Sequence, residues 1–367
     1  MLSIPIVSPM FRMVMRIISI VVWALTALSA FGGKFNPEFF TIPAVLCLAL
    51  PYLGILSIIL TIFWAVTGRF FFTALGVLAI IACIGPMSQA MPISFPKKAD
   101  DGQQTFKIMS WNVLHNQDLR KPDYPGNRPL EYMIDSEADI ICLAEVNNFG
   151  REEMGNAPQQ TIDSLFRIYP YRAGQTYSDI KILSKYPVER IETGRQKSGG
   201  QPRFDIFKVN MPGHILTVAM VHLYSYDLSE EERQVVTEIK SVNTAKSSVK
   251  ELKGSILSKL RNAFRMRAQN AQDLREAIGN ITGPLIVCGD FNDVPTSWTY
   301  NIVKGDDMHD AYAETNFGPT FTYNLHAFYF HIDQMLYRGP IEALDLEVGK
   351  INSSDHYPLI GEFAFTK

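Results

Sequence analysis

The chain has 367 residues, with 34 Lys+Arg against 37 Asp+Glu, a formal net charge of -3 and four cysteines. This length allows two domains, or one large domain with an appendage, and the charge balance argues against a surface built to coat nucleic acid. The charge is unevenly spread: residues 1–96 carry Arg12, Arg16, Lys34 and Arg69 against Glu38, a net +3, so the other 30 basic and 36 acidic residues leave -6 for the remainder.

The first segment is apolar. Ile17 to Phe31 holds only Ser19, Thr26 and Ser29 as polar residues, and the runs Phe39–Val66 and Phe70–Met87 hold no charge. Each can cross roughly 30 Å of hydrocarbon, so residues 1–96 are expected to form a membrane anchor of about three spanning helices with a linker. A cleaved signal peptide would explain only the first run. Arg12 and Arg16 before the first helix and Arg69 between the second and third place those ends in the cytoplasm by the positive-inside rule. An odd number of crossings then delivers everything after Met87 to the other side, periplasmic or extracellular. Met91 to Gly102, with its prolines, lysines and aspartates, reads as the linker.

From residue 97 onward, short strands outnumber helices. Thr105–Val113 alternates into a strand ending on Asn112, Leu130–Glu137 is helical, and Asp139–Glu145 is a buried strand closing on a carboxylate. Thr161–Ile168 is a helix that Tyr169-Pro170-Tyr171 breaks, and Ile180–Ser184 is strand. Phe204–Asn210 and Ile215–His222 form a hairpin around Met211-Pro212-Gly213-His214. A helical stretch from about Leu228 to Ile278 carries one apolar stripe, through Ile256, Leu260, Ala263, Phe264, Ala271, Leu274 and Ile278. Between Lys240 and Arg267 it holds eight basic residues and one acid, Glu251, either a solvated face or a rim that attracts phosphate or anionic headgroups. Leu285–Asp290 is a buried strand with Gly289 at its turn, and further strands follow around Phe321–Tyr323, Phe330–Leu336 and Ser353–Ile360. The cysteines show neither metal spacing nor a disulfide framework and read as small buried hydrophobes. The pattern fits two packed sheets with helices outside.

Six strand ends are polar: Asn112, Glu145, His222, Asp290 with Asn292, Asp333, and Asp355 with His356. One such residue closes a turn; six in one domain point to a site. Asp290 and Asn292, two apart, share a face if the strand continues, and an Asx-turn is the alternative. Acid and amide oxygens suit a hard cation such as magnesium, and with no cysteine pair and few histidines zinc fits less well.

Ser110-Trp111-Asn112, Leu143-Ala144-Glu145-Val146, Val221-His222-Leu223, Gly289-Asp290-Phe291-Asn292, Ile332-Asp333 and Ser354-Asp355-His356 resemble, in order and spacing, the endonuclease/exonuclease/phosphatase (DNase I-like) superfamily, in a membrane-anchored bacterial branch. The resemblance runs from about Phe106 to Phe363 and implies an α+β fold, a four-layered α/β/β/α sandwich over residues 97–367, and metal-dependent phosphoester hydrolysis. It implies Glu145 as the main metal ligand, with Asn112 and Asp355 supporting, for magnesium or manganese in its place. It implies Asp290 as the group that positions or deprotonates water, Asn292 and His222 as phosphate contacts, and His356, oriented by Asp333, as a polarising or proton-transferring group. The run Tyr177–Ser184 departs from the family's Gly-x-Ala-Ile pattern, which bears on the substrate. A nuclease and a lipid-headgroup phosphodiesterase both fit. Two other classes remain: a silent binding module, against which the six polar ends count, and an anchor that is itself the functional part, against which the charge-free runs count. Nothing in the sequence sets an oligomeric state.

Overall fold

The computed structural model describes residues 9–116, 124–146, 157–175, 178–194, 202–226, 246–325 and 329–366, and for 246–257 the backbone alone. Five helices come first: α1 (Pro9–Ala30), α2 (Thr41–Cys47), α3 (Leu50–Val66), α4 (Phe70–Ala82) and α5 (Ile84–Ala90). Then follow β1 (Thr105–Asn112), α6 (Arg128–Asp135), β2 (Ile140–Ala144), α7 (Gln159–Ile168), β3 (Tyr171–Ala173), β4 (Lys181–Ser184), β5 (Val188–Thr193), β6 (Phe204–Met211) and β7 (His214–His222). The chain closes with α8 (Lys246–Gly279), β8 (Leu285–Asp290), α9 (Trp298–Lys304), β9 (His309–Asp310), α10 (Ala311–Thr315), β10 (Asp333–Arg338), β11 (Ile341–Val348) and β12 (Leu359–Phe365).

The strands form two six-stranded sheets, ordered β11-β12-β1-β2-β4-β3 and β5-β6-β7-β8-β10-β9. Each sheet has one parallel pair at its centre, β1/β2 in the first and β7/β8 in the second, with antiparallel neighbours on both sides. Side chains alternate along each central strand. Phe106 and Ile108, Ile140 and Cys142, Val218 and Met220, and Ile286 and Cys288 face the core between the sheets. Met109, Trp111, Ile141 and Leu143 instead pack with α6 and α7 residues, and Leu285, Val287, Ala219 and Val221 pack under α8 and α9. The layers are therefore α/β/β/α, as the sequence resemblance implied. Cys142 and Cys288 are free and buried, in keeping with the hydrophobe reading.

The apolar stripe of α8 is seated as expected: Ala263, Phe264, Ala271, Leu274 and Ile278 are all buried. Residues 227–245, including Leu228 and Lys240, and the side chains of Lys250, Glu251, Lys253 and Ile256 lie outside the described residues. Strands β5 and β11 are not among the elements expected from the sequence, although both alternate apolar with charged residues; each lies at a sheet's rim, and β5 is largely exposed.

The N-terminal helices are built inside out relative to a soluble bundle. α1 buries Ser19, Thr26 and Ser29 and exposes Ile17, Ile18, Ile20 and Val21. Beside buried Trp23, Trp64, Leu50 and Leu60, the interior carries polar and small contacts: Thr26 and Ser57 hydroxyls lie 2.7 Å apart, the Trp64 indole donates to Ser19 Oγ at 2.8 Å, and Gly76 lies against Thr61 and Trp23. Small and hydroxyl-bearing contacts of this kind let helix backbones approach closely. α1 is long and apolar enough to cross a membrane. The second and third apolar runs are not straight: each is a helix pair, bent by 67° between α2 and α3 and by 65° between α4 and α5. Both breaks have one cause. Pro51 and Pro86 lack the N–H that would bond the carbonyls of Cys47 and Ala82, so the first helix of each pair ends there.

The segment after α5 is not a free tether. Ser94 N–H donates to Asn316 O at 2.9 Å, Lys97 N–H donates to Leu344 O at 2.7 Å, and the Phe95 and Phe317 rings stack at 5.9 Å. Gly33 sits so close to the loop after β8 that a Cβ there would lie 1.8 Å from Thr296 O.

Gly289 is the tightest point of the sheet holding β8. Its φ is +136° and a Cβ would lie 2.0 Å from Val221 O, a backbone atom that cannot swing away. Gly289→Ala is expected to cost about 3 kcal/mol or more. Scanning fluorimetry of the full chain should show a midpoint lower by about 5–10 °C.

Candidate active site

The side chains that face the inter-sheet core continue, one step further along each strand, into polar residues. The series Ile108–Ser110 ends on Asn112, Val218–Met220 on His222, Ile286–Cys288 on Asp290, and antiparallel β10 begins with Asp333 before Met335 and Tyr337. Each central pair is parallel, and the hydrogen bond from the Asn112 amide to Asp290 shows that both pairs end at the same edge of the sandwich. Register places Asp333 opposite Asp290 and His222 opposite Asp290. The site is thus the polar end of the apolar core.

Asp290 is its hub, at 2% exposure. Its Oδ2 lies 3.6 Å from His356 Nε2 and 4.0 Å from His222 Nε2, and accepts from the Asn112 amide at 3.1 Å. The same amide donates to Glu145 Oε1 at 2.9 Å, while Asn112 Oδ1 accepts from Leu114 N–H at 3.2 Å. Asn112 therefore spaces two carboxylates. Each imidazole is held from behind by an acid: His222 Nδ1 is 2.6 Å from Asp179 Oδ2, and His356 Nδ1 is 2.8 Å from Asp333 Oδ2. Those contacts fix both rings so that both Nε2 atoms face Asp290.

Electrostatics follow from burial among charges. Burial pushes the Asp290 carboxyl up, and the Asp333 charge adds to the rise against the pull of His356 and His222, leaving it at about 6. Burial opposes charge on His222, but the Asp179 hydrogen bond and charge, with Asp290 and Glu145 behind them, outweigh it and hold the ring at about 9. His356 is likewise raised despite burial, by Asp333 and Asp290. Asp179 is lowered, because the His222 contact overcomes its desolvation. Two imidazolium rings thus flank one buried carboxyl.

The backbone supports this arrangement. Glu145 follows β2 with φ +57°. Ser354 Oγ donates to Asn112 O at 2.8 Å and accepts from His356 N–H at 3.2 Å, and the Trp111 indole donates to His356 O at 2.9 Å, which ties the segment before β12 to β1. Thr322 Oγ1 accepts from Asp333 N–H at 3.0 Å, and the Tyr323 ring meets the His356 ring edge-on at 5.0 Å.

Seven of the eight expected site residues are joined directly or through one partner: Asn112, Glu145, His222, Asp290, Asn292, Asp333 and His356. Asp355 is buried beside them, its Oδ1 lying 3.3 Å from Ser354 Oγ. The expected common face of Asp290 and Asn292 is a correction: β8 ends at Asp290, Asn292 has φ +51°, and its N–H donates to Asp290 Oδ1 at 2.7 Å. That is an Asx-turn, formed within the site. The Asn292 amide meanwhile donates to Leu223 O at 3.0 Å, locking β7's end to the turn.

The basic stretch divides. Arg261 and Arg265 are exposed, whereas Arg267 is fully buried, its guanidinium 3.5 Å from Asp293 and over the rings of Tyr226 and Phe264. Arg267 therefore braces the turn after Asp290 and is no part of a surface rim. Asp179 was not singled out from the sequence. It lies in the run that departs from the family pattern, two residues before β4, and its backbone O accepts from Val146 N–H at 3.0 Å, which brings it beside Glu145. A buried acid just before an apolar strand was the available signal.

Oxygen donors from Glu145 and Asp290, with Asp333 and Asp355 near, form a hard-ligand set, and Asp290, Asp333 and His356 have potential ligand atoms within 4.8 Å of one another. Among the described residues, Glu145 Oε1 is engaged by Asn112 and His222, while its side chain stays 24% exposed to the cleft. The fold and the site together define a sandwich hydrolase with a buried carboxyl between two acid-backed imidazoles. The chain belongs to the endonuclease/exonuclease/phosphatase family, whose model matches residues 109–356. A second model, for a domain of unknown function, matches residues 12–90. No curated protein matches the chain.

Among solved structures, an endonuclease/exonuclease/phosphatase from Beutenbergia cavernae is 16% identical with a TM-score of 0.48, over 72% of this chain and 72% of its own. The catalytic domain of human Nocturnin with bound sulfate anion is 17% identical with a TM-score of 0.46, over 73% of this chain and 97% of its own. A Staphylococcus aureus beta toxin mutant with bound magnesium ions is 14% identical with a TM-score of 0.43, over 72% of this chain and 100% of its own.

If Asp179 sets the orientation and charge of His222, Asp179→Asn should lower turnover of a chromogenic phosphodiester by about 100-fold or more while the circular dichroism spectrum stays unchanged. Asp290→Asn should cost more than Asn292→Ala, which loses about 3 kcal/mol of transition-state stabilisation at most. Equal turnover in Asp290→Asn and the parent would remove this carboxyl from the chemistry.

Proposed function

We propose that this chain is a magnesium-dependent phosphodiesterase held at a membrane, with its hydrolytic domain on the non-cytoplasmic face. One observation carries the reading: two acid-backed imidazoles present their Nε2 atoms to one buried carboxyl, Asp290. Raised as they are, both rings carry positive charge at neutral pH. They are fixed donors for phosphoryl oxygens, on which charge builds during hydrolysis. Asp290, at about 6, is mainly ionised at pH 7 and accepts a proton from the attacking water. The water oxygen bonds to phosphorus, the bond to the leaving oxygen breaks, and that oxygen takes a proton from an imidazolium.

Glu145, joined to Asn112, with Asp355 next to His356, is the set that would hold magnesium, or manganese in its place. When bound, such an ion neutralises charge on the phosphoryl group.

The anchor's geometry supports the orientation. Arg16 lies over the Phe72 ring, so the basic starts of α1 and α4 share one end of the helical unit. The opposite end meets the hydrolytic domain: the Tyr52 hydroxyl donates to Tyr329 O at 3.2 Å, and the Gln269 amide donates to Glu38 Oε1 at 3.1 Å. If each bent pair is one span, the helices cross three times.

The purified full chain, offered DNA, RNA, bilayer phospholipid and sphingomyelin with magnesium, should hydrolyse at least one. Chelation should abolish turnover and added magnesium restore it. Glu145→Gln, which removes the charge but keeps the shape, should bring turnover to background; full activity in that variant would remove Glu145 from the ion's site. A reporter active only in the periplasm, fused after Lys367, should be active, and activity from a cytoplasmic reporter alone would reverse the orientation.

A further inference from the structure

A cavity of about 340 Å³ lies where the anchor meets the hydrolytic domain. One wall is apolar, from Leu48 just before α3 and Tyr52 and Ile55 at its start; the other is Val294, Phe321 and His331. The size is that of a small-molecule site. The cavity adjoins the chemistry: Val294 is two residues past Asn292 and His331 two before Asp333. Tyr323, edge-on to the His356 ring, packs in the same cluster as Cys47, Val294 and Ile332.

Two observations bear on the occupant. Tyr52 and Ile55 are 58% and 44% exposed, and the surface continues along α3 through Ile58, Ile59 and Ile62, all exposed and apolar. The cavity therefore opens sideways into the belt that lipid would cover, at the end of α3 next to the hydrolytic domain, which is the depth of headgroups and their linkages. The second is His331. It is 94% buried by its 6% exposure, yet neither ring nitrogen has a hydrogen-bond partner among the described residues. The Tyr312 ring meets it edge-on at 5.0 Å and satisfies neither nitrogen. A buried imidazole whose ring nitrogens lack a hydrogen bond of normal geometry among the described residues, on an apolar wall, leaves room for a polar group from a ligand that is otherwise hydrocarbon.

We propose that this cavity takes an acyl chain of a membrane lipid, with the His331 nitrogens at the ester or amide linkage, so that the lipid's headgroup phosphodiester lies at Asp290, His222 and His356. This deepens, and rests on, the phosphodiesterase reading, and it selects a lipid over a nucleic acid. The anchor is then half of the substrate site as well as a tether.

The test uses the full chain in vesicles of mixed phosphatidylcholine and phosphatidylglycerol, doped with a phosphatidylcholine carrying a diazirine on one acyl chain. On irradiation, label should map to peptides containing Leu48–Ile55 and Phe321 or His331. In Ile55→Trp, which fills the mouth, that label should fall about tenfold, the loss of two or so buried methylenes. His331→Phe keeps a ring and removes both nitrogens; the ratio of vesicle-lipid to bis(p-nitrophenyl) phosphate turnover should fall about tenfold in both variants. Label confined to Ile58, Ile62 and Leu78 on the outer faces, unchanged in Ile55→Trp, overturns the inference, as does an unchanged turnover ratio in both variants. A parent that hydrolyses no phosphodiester yet is labelled in the cavity retains the lipid site and loses the phosphodiesterase reading. Turnover of DNA with an unlabelled cavity does the reverse.

Discussion

A carboxyl out of water at the end of an apolar core is the constraint around which this molecule is arranged. Burial alone disfavours a charged Asp290, and the nearby Asp333 charge disfavours it further. Two imidazoliums and an amide donor make the position tenable. Each imidazole needs its own acid, so Asp179 and Asp333 are drawn in, and each acid needs a backbone that delivers it. The Ser178 hydroxyl, which bonds Asp205 at 3.2 Å and accepts from Ile180 N–H at 3.1 Å, sets the turn that delivers Asp179. Thr322 does the same for Asp333. The polar framework behind the site is the chain of consequences of one buried charge.

Much of this was readable in the sequence, because the signal is parity. An apolar series at every second residue that ends in Asn, His or Asp places those groups on the core side of a strand; β1, β7 and β8 end so, and β10 begins so with Asp333. The layers followed from the same alternation, since both faces of β1, β2, β7 and β8 are covered and their runs are almost wholly apolar. What stayed hidden depends on tertiary pairing. Asp179 stands outside any strand, and its value arises only when β4 lies beside β2 and β7 faces them both. Asn292 shares parity with Asp290 on paper, but its positive φ turns the chain first. Arg267 looks like its basic neighbours, yet one helical face decides that it is buried while Arg265 is not. The stretch after α5 has a linker's composition, and the hydrogen bonds that pin it come from Asn316 and Leu344, far away in sequence.

The N-terminal helices show how two prolines reshape apolar runs. A run of charge-free residues from Phe39 to Val66 would make one long helix, but Pro51 divides it and turns the first part aside. That turn brings Cys47 into the same cluster as Val294 and Ile332. Gly33 allows the neighbouring segment to meet Thr296, itself held at φ +82°. The loop leaving the hydrolytic centre is thereby pressed between α9 and the helical unit, so the orientation of the site relative to the helices is set by packing rather than by tether length.

Both acid–imidazole pairs run between the sheets. Asp179 precedes β4 of one sheet and its histidine ends β7 of the other; His356 precedes β12 of the first sheet and its acid begins β10 of the second. The pairs are therefore stitches across the same seam that the apolar core fills. A slip of one sheet against the other by an ångström would keep the core's apolar surface out of water, since burial is non-directional, but it would break two short directional bonds together. Heat or a cavity-forming substitution in the seam would then silence the enzyme while the sandwich was still folded, with inactivation preceding melting.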